Sequence, residues 1–187
     1  MAKDKKSNLK EKIRWIFGHI LAIVAIVIVI LVFGWAYYFV IAPYLIPKPF
    51  IEKPSLPEDA LERIKAGENI IKEGHLNYII NEIGAYKLGS PFGSKNLPVM
   101  EFVLTDTDET YYAYVKDHIP AAKQGNPKNE DIIIKTTQET AFNILKSDNT
   151  QQAVKEAKDK GKLQVELKAD MKTLAAKGYL SIYETIK

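Results

Sequence analysis

The side chains that most often do chemistry are few in this sequence, and their spacing matches no catalytic or metal-binding pattern. The chain contains no cysteine, which excludes disulfides and thiolate ligands. His75 and His118 lack a second histidine at the spacing of a zinc motif. The acidic stretch 106–109 lacks the spacing and central glycine of a calcium-binding loop and suits a hairpin turn better. We therefore expect no catalytic residue, no metal site and no cofactor, and hence no enzyme.

Apolar and tyrosine side chains are the remaining candidates for a binding site. Alternation along the predicted strands and helices places a set of them in the gap between a sheet and its helices. The candidate lining residues are Phe102, Leu104, Tyr112, Tyr114, Ile132, Ile134, Phe142, Leu145, Val165, Leu167, Tyr179 and Tyr183, together with Leu174 and Ile182.

Two interpretations of this apolar set stay open. One is a filled hydrophobic core, which any domain of this size needs. The other is an apolar cavity for a lipid-like ligand. The tyrosines slightly favour the cavity, because a buried phenol needs a hydrogen-bond partner and can orient a polar headgroup.

A long apolar segment precedes these elements. No Asp, Glu, Lys or Arg occurs from Trp15 to Pro47. About 20 apolar residues suffice to span the hydrocarbon core of a bilayer, so the sequence predicts a single transmembrane helix over residues 15–42. A cleaved signal peptide is the alternative, but its apolar core of about 7–15 residues would be shorter.

Charge is distributed unevenly along the chain. Residues 1–14 carry six basic and two acidic side chains, a net charge of +4. Basic residues favour the cytoplasmic side, so we expect a cytoplasmic head and an extracytoplasmic remainder in a single-pass protein of the cell membrane. That remainder holds 20 basic and 21 acidic residues. Its near neutrality removes the electrostatic basis for binding nucleic acid.

The rest of the chain is predicted to form a linker and one α+β domain. Five prolines make residues 43–57 a stiff spacer, and residues 58–187 form the domain. A small antiparallel sheet with helices packed on one face is the expected architecture. The predicted elements are a helical segment over 58–87 with a break near Gly67 or Gly74, strands at 99–106, 109–117, 131–136 and 162–168, a loop at 120–130, helices at 137–146 and 150–160, and a closing helix at 171–186.

Three stretches in the second half of the chain carry a resemblance to a known family. They are NEDIIIKTTQE, a strand that starts after an aspartate and is followed by a helix, then GKLQVEL, and finally KGYLSIYETI. In this order, residues 99–187 resemble the sterol-carrier-protein (SCP-type) lipid-transfer domain. The resemblance implies a sheet and helices that enclose a tunnel for sterols, fatty acids or acyl chains. The membrane anchor and the helical segment 57–87 depart from the family's pattern.

These observations predict a membrane-anchored, non-enzymatic domain that binds a hydrophobic, lipid-like ligand near the bilayer. The alternative is a structural or interaction module with a solid core that docks a partner membrane protein or assembly. The expected partners are therefore the bilayer, a lipid or acyl chain, and a membrane protein.

Overall fold

The computed structural model describes residues 2–37, 45–91 and 93–185. The chain divides into two compact units, Met1–Ala42 and Pro43–Lys187, and each is described by itself.

The first unit is a single long helix, α1, over Ala2–Ala36. Its stretch Phe17–Ala36 has a mean hydropathy of 2.9, and none of it is buried. A helix of this length and composition can cross a membrane, and an N-terminal signal sequence has the same properties. The end of the predicted span, residues 38–42, lies outside the described residues.

Two short helices open the second unit. They are α2 (Ala60–Lys65) and α3 (Glu73–Glu82), followed by a 3-10 turn at Ala85–Lys87. The helical segment breaks after Lys65, where Gly67 adopts a φ of 85° that other residues rarely tolerate. The break predicted near Gly67 is confirmed.

A five-stranded sheet follows, with the strand order β3-β2-β1-β4-β5. Three of its pairings are antiparallel, but β1 and β4 run parallel, with Met100 opposite Ile132. The sheet is therefore mixed where the sequence predicted an antiparallel one, because the chain crosses back through β2 and β3 before β4 starts. The strands are β1 (Val99–Leu104), β2 (Glu109–Lys116), β3 (Ile119–Gln124), β4 (Ile132–Thr136) and β5 (Leu163–Leu167).

Strand β3 corrects the prediction of a loop over residues 120–130. Pro120 argued against a strand, since proline cannot donate a ladder hydrogen bond, but β3 is an edge strand, where proline is tolerated. Asp117 and His118 form its turn with φ angles of 52° and 64°. Such positive values suit a tight hairpin, although the sequence lacks the usual asparagine-glycine signal.

Four helices complete the domain: α4 (Gln138–Lys146), α5 (Thr150–Asp159), α6 (Met171–Ala176) and α7 (Tyr179–Thr185). Thr137, Asn149 and Asp170 cap the first three by accepting backbone N–H groups. The predicted closing helix is thus two helices, since Gly178 turns between them with a φ of 87°. A side chain at Gly178 would lie 3.3 Å from the Lys87 carbonyl oxygen, so the turn also needs glycine for space.

The core lies on one face of the sheet. Met100, Phe102 and Leu104 of β1 point to this face, and the register places Tyr111 and Ala113 of β2 beside them. The helices pack against these side chains, whereas the opposite face of the sheet is largely half-exposed.

Candidate functional site

Most of the predicted lining residues do face the interior between sheet and helices. The buried ones are Phe102, Leu104, Ile132, Ile134, Phe142, Leu145, Leu174, Tyr179 and Ile182. Val165 is half-buried and packs against the same core. Burial alone suits both a core and a cavity wall, so their role in ligand binding stays a prediction.

Tyr112 and Tyr114 do not line the interior. The register pairs them with Glu101 and Val99, on the uncovered face of the sheet, and their rings lie 6.4 Å apart there. Tyr111 takes the inward position instead. The assignment of Tyr112 and Tyr114 to the inner face was wrong, because both faces of β2 carry tyrosine. The signal for the correct face was the apolar pair Ala113 and Val115, which alternate with Tyr112 and Tyr114 and share the face of Tyr111.

Leu167 and Tyr183 were also predicted to face inward, but they are 55% and 54% exposed. Leu167 ends β5, an edge strand. Tyr183 lies with its ring 5.1 Å from the Lys158 ammonium group, outside the core formed by the buried residues of α7. Both are therefore surface side chains near the end of the chain.

The centre of the interior is filled. Met100, Leu104 and Leu145 have no surface that a water-sized sphere can touch. The wall of a cavity wide enough for an acyl chain would be accessible to such a sphere, so these three side chains border no such cavity here. A ligand that enters this interior must therefore displace side chains or a helix.

A buried polar cluster closes one end of the interior. The Lys177 ammonium group lies 2.7 and 2.9 Å from the two carboxylate oxygens of Asp131 and donates to the Leu97 carbonyl at 2.9 Å. The Asp131 carboxylate also accepts the Val99 N–H at 2.8 Å and the Tyr179 hydroxyl at 3.0 Å. Burial and the charge of Asp131 raise the pKa of Tyr179 well above its usual value.

This cluster, Asp131, Lys177 and Tyr179, is structural in this conformation. The side chain of Lys177 is 0% exposed and that of Asp131 is 5% exposed, so neither can touch a substrate. The contact of Lys177 with Asp131 connects the turn between α6 and α7 to the start of β4. The hydrogen bond from the Val99 N–H to Asp131 connects the same cluster to the start of β1. Sequence analysis missed it, because a lone lysine inside a predicted helix gives no signal of burial.

A second polar contact ties the segment between α2 and α3 to helix α4. The Gln138 side-chain oxygen accepts the N–H groups of Ile70 and Ile71 at 2.8 and 3.1 Å, and its amide donates to the Glu68 carbonyl at 3.0 Å. The Tyr111 hydroxyl donates to a Glu109 carboxylate oxygen at 2.5 Å and lies 3.1 Å from the Ile71 carbonyl oxygen. Burial, assisted by a hydrogen bond to a glutamate, raises the pKa of Tyr111 to about 12.

Two grooves on the α4–α5 side of the domain are lined mostly by residues with polar side chains. One of about 380 Å³ lies among Thr105, Lys135, Thr137 and Lys162, and another of about 300 Å³ lies between α4 and α5. None of the predicted lining residues borders either groove. Within residues 2–37, 45–91 and 93–185, no three His, Asp or Glu side chains lie close enough together to hold a metal ion.

The class that this geometry defines is an α+β domain with a five-stranded mixed sheet. No protein-family model matches the chain, and no match was found among curated proteins. Similar solved structures include the UbiJ-SCP2 ubiquinone synthesis protein, at 10% identity, with a TM-score of 0.36 over 70% of this chain and 100% of that one. The palmitated SCP2L2 of Aedes aegypti is another, at 19% identity and a TM-score of 0.34, over 55% of this chain and 87% of that one.

A third similar structure is the sec-alkylsulfatase Pisa1 of Pseudomonas sp., at 17% identity and a TM-score of 0.30. The match covers 45% of this chain and only 13% of the alkylsulfatase. SCP2 domains are thus among the solved structures similar to this chain.

Proposed function

We propose that the protein is a membrane-anchored domain without catalytic activity that binds a hydrophobic ligand, a lipid or acyl chain, close to the bilayer. The observation that carries the proposal is the placement of exposed apolar side chains beside the interior. Leu167, Met171, Leu180 and Tyr183 are each about half-exposed or more, and all belong to β5 or to the two C-terminal helices that cover the core. Exposed apolar side chains on the elements that cover a core offer an apolar ligand a surface to approach.

The filled interior sets the route by which a ligand would enter. Helices α6 and α7 contribute Leu174, Tyr179 and Ile182 to the core. When these helices move outward, an acyl chain takes the place of the three side chains, and the exposed apolar residues cover its outer surface. The anchor keeps the domain within reach of its lipid source.

Binding is tested on the compact unit Pro43–Lys187, produced without the apolar helix. Native mass spectrometry after incubation with palmitate should show a one-to-one adduct, and thermal melts should show stabilisation. A ligand at 100 times its Kd stabilises by about 2.7 kcal/mol. A clean ligand-free mass with no thermal shift would exclude the proposal.

The Phe142→Ala variant separates a ligand site from an ordinary core. Phe142 is 5% exposed in α4. If the ring only fills the core, the truncation costs about 3–5 kcal/mol and leaves any palmitate-dependent shift unchanged. If the bound chain contacts the ring, the variant should also change which chain length stabilises the domain most.

The orientation of the anchor is a separate part of the proposal. We place the N-terminus in the cytoplasm and residues beyond the helix outside it, because basic residues precede the apolar stretch. A reporter that is active only outside the cytoplasm, fused to Lys187, should be active; silence in well-expressed protein would contradict this orientation. Mixed orientations are expected when glutamine replaces Lys3, Lys5, Lys6, Lys10 and Lys12.

One observation favours the alternative function, an interaction module. Val103, Tyr112 and Tyr114 lie half-exposed on the face of the sheet opposite the core. A photo-crosslinking residue at position 114 should then give a discrete adduct with a membrane protein in native membranes, whereas the same residue at Lys155 on α5 should not. Adducts at neither position would remove this alternative.

A further inference from the structure

The proline-rich segment at the start of the second unit is attached to the rest of the domain, although the sequence predicted a stiff spacer. Residues 47–57 form no helix or strand, yet they lie along α3. The Lys48 ammonium group lies 2.6 Å from a Glu82 carboxylate oxygen, and the Asn81 side chain donates to the Pro49 carbonyl at 3.0 Å. We call residues 45–57 the strap.

The far end of the strap is attached as well. The Lys53 ammonium group donates to the Ser147 carbonyl at the end of α4, at 3.2 Å, and Leu56 packs against the core. Pro54 lies 3.9 Å from the position that a side chain at Gly74 would take. The backbone of the strap is therefore held on both sides of position 50.

Two exposed apolar side chains lie on the strap, Phe50 within the part held by these contacts and Leu45 just before it. Phe50 is 93% exposed, the highest value among the large apolar side chains that the structure describes, and Leu45 is 64% exposed. A fully exposed aromatic ring gains nothing from the folded domain, and a segment fixed by polar contacts cannot turn it inward. The pair is thus available to a surface outside the domain.

We infer that Phe50 and Leu45 insert into the headgroup region of the bilayer that holds α1, an inference that rests on the proposed membrane anchoring. Only residues 38–44 separate Tyr37 from Leu45, so the chain between these two residues spans at most about 28 Å at ~3.5 Å per residue. The bilayer is therefore a surface that the strap can always reach. Aromatic side chains are favoured at this depth of a membrane.

The contact is apolar and not electrostatic. Lys48 is matched by Glu82 at 2.6 Å, and Glu52 balances the charge of Lys53, so the strap and Glu82 together carry no net charge. Docking should therefore be insensitive to salt and to the fraction of anionic lipid.

The test uses the full chain in phosphatidylcholine vesicles. Because the chain has no cysteine, each single cysteine substitution carries one environment-sensitive fluorophore. The Phe50→Cys label should emit at shorter wavelength and be quenched by lipids with a nitroxide near the headgroup. The matched control Ile119→Cys, 58% exposed on edge strand β3, should be quenched by aqueous iodide instead. The Ile26→Cys label in α1 reports membrane insertion.

A second pair of variants distinguishes docking of the strap from the effect of its covalent connection to α1. A label at Leu45→Cys should lose lipid quenching when Phe50→Ser is added. If the quenching is unchanged, the short connection to α1 is enough to keep the label at the headgroups. That result would overturn the docking. Equal iodide quenching at positions 50 and 119, with position 26 in hydrocarbon, would overturn the docking and leave the anchoring intact. Iodide quenching at position 26 would overturn both, while the palmitate measurement would stand independently.

Discussion

The buried pair of Lys177 and Asp131 gives the sharpest test of the fold. In the Lys177→Met variant the long apolar stem is kept and only the ammonium group is lost. The Asp131 carboxylate then stays buried with just the Val99 N–H and the Tyr179 hydroxyl as partners. A buried carboxylate that loses its counter-charge is costly, because the desolvation of the charge is no longer offset.

The magnitude follows from the burial of both groups. With side-chain exposures of 0% and 5%, solvent screens the pair very little, so removal of one partner should cost about 3–5 kcal/mol. A domain of this size has a total stability of about 5–15 kcal/mol, so the variant loses at least about a fifth of it. The Tm should fall by roughly 10–20 °C at about 3–4 °C per kcal/mol.

Urea denaturation followed by circular dichroism measures this loss, with Lys172→Met as the matched control. Lys172 lies exposed on α6, and its replacement should cost less than about 0.5 kcal/mol. If Lys177→Met also costs less than about 1 kcal/mol, the pair behaves as a surface salt bridge, and the closed interior that we describe is wrong. Where the loss is large, the proposed route for ligand predicts that palmitate binds the variant more tightly, since α6 and α7 are held less firmly.

Three further perturbations test other parts of the structure. Gln138→Leu leaves the Ile70 and Ile71 N–H groups without their acceptor and should cost about 1–3 kcal/mol in urea denaturation. The pKa of Tyr111 is raised to about 12 from about 10, so the neutral phenol contributes to the free energy of unfolding below pH 10, and this contribution is lost between about pH 10 and 12. The Tyr111→Phe variant should therefore lose less stability over this pH range. Burial lowers the pKa of His75, so stability should fall as the pH drops below about 6.5, and less so in His75→Gln.

The periodic parts of the fold were predictable from the sequence. The strand Val99–Leu104 and the helix Gln138–Lys146 follow from alternation and from the Thr137 cap, and both lie within about two residues of the predicted bounds. Local signals suffice for such elements, because one face of each is apolar and the ends carry turn or capping residues.

The features that were not predicted from the sequence depend on tertiary contacts. β3 is a strand only because β2 offers it an edge, since its own sequence contains a proline and two alanines, which are depleted in strands. The inward face of β2 is decided by the helices, since tyrosines stand on both faces. The burial of Lys177 depends on Asp131, which lies 46 residues away, and no local pattern records that partnership.

The length of the acyl chain decides whether the closed interior can open to a ligand. Displacing Leu174, Tyr179 and Ile182 from the core costs about 1.5–3 kcal/mol each, or about 5–9 kcal/mol together. At about 0.8 kcal/mol per buried CH₂, a chain of about 8 carbons gains about 6 kcal/mol and one of about 16 carbons about 13 kcal/mol. Association itself costs at least about 4 kcal/mol more, so the chain length at which binding becomes favourable lies nearer to 16 carbons than to 8. Thermal shifts of the unit Pro43–Lys187 with a series of saturated fatty acids should therefore be absent for octanoate and appear only near the length of palmitate. A shift that grows smoothly from the shortest chain, without a threshold, would mean that the ligand binds the exposed apolar surface and leaves α6 and α7 in place.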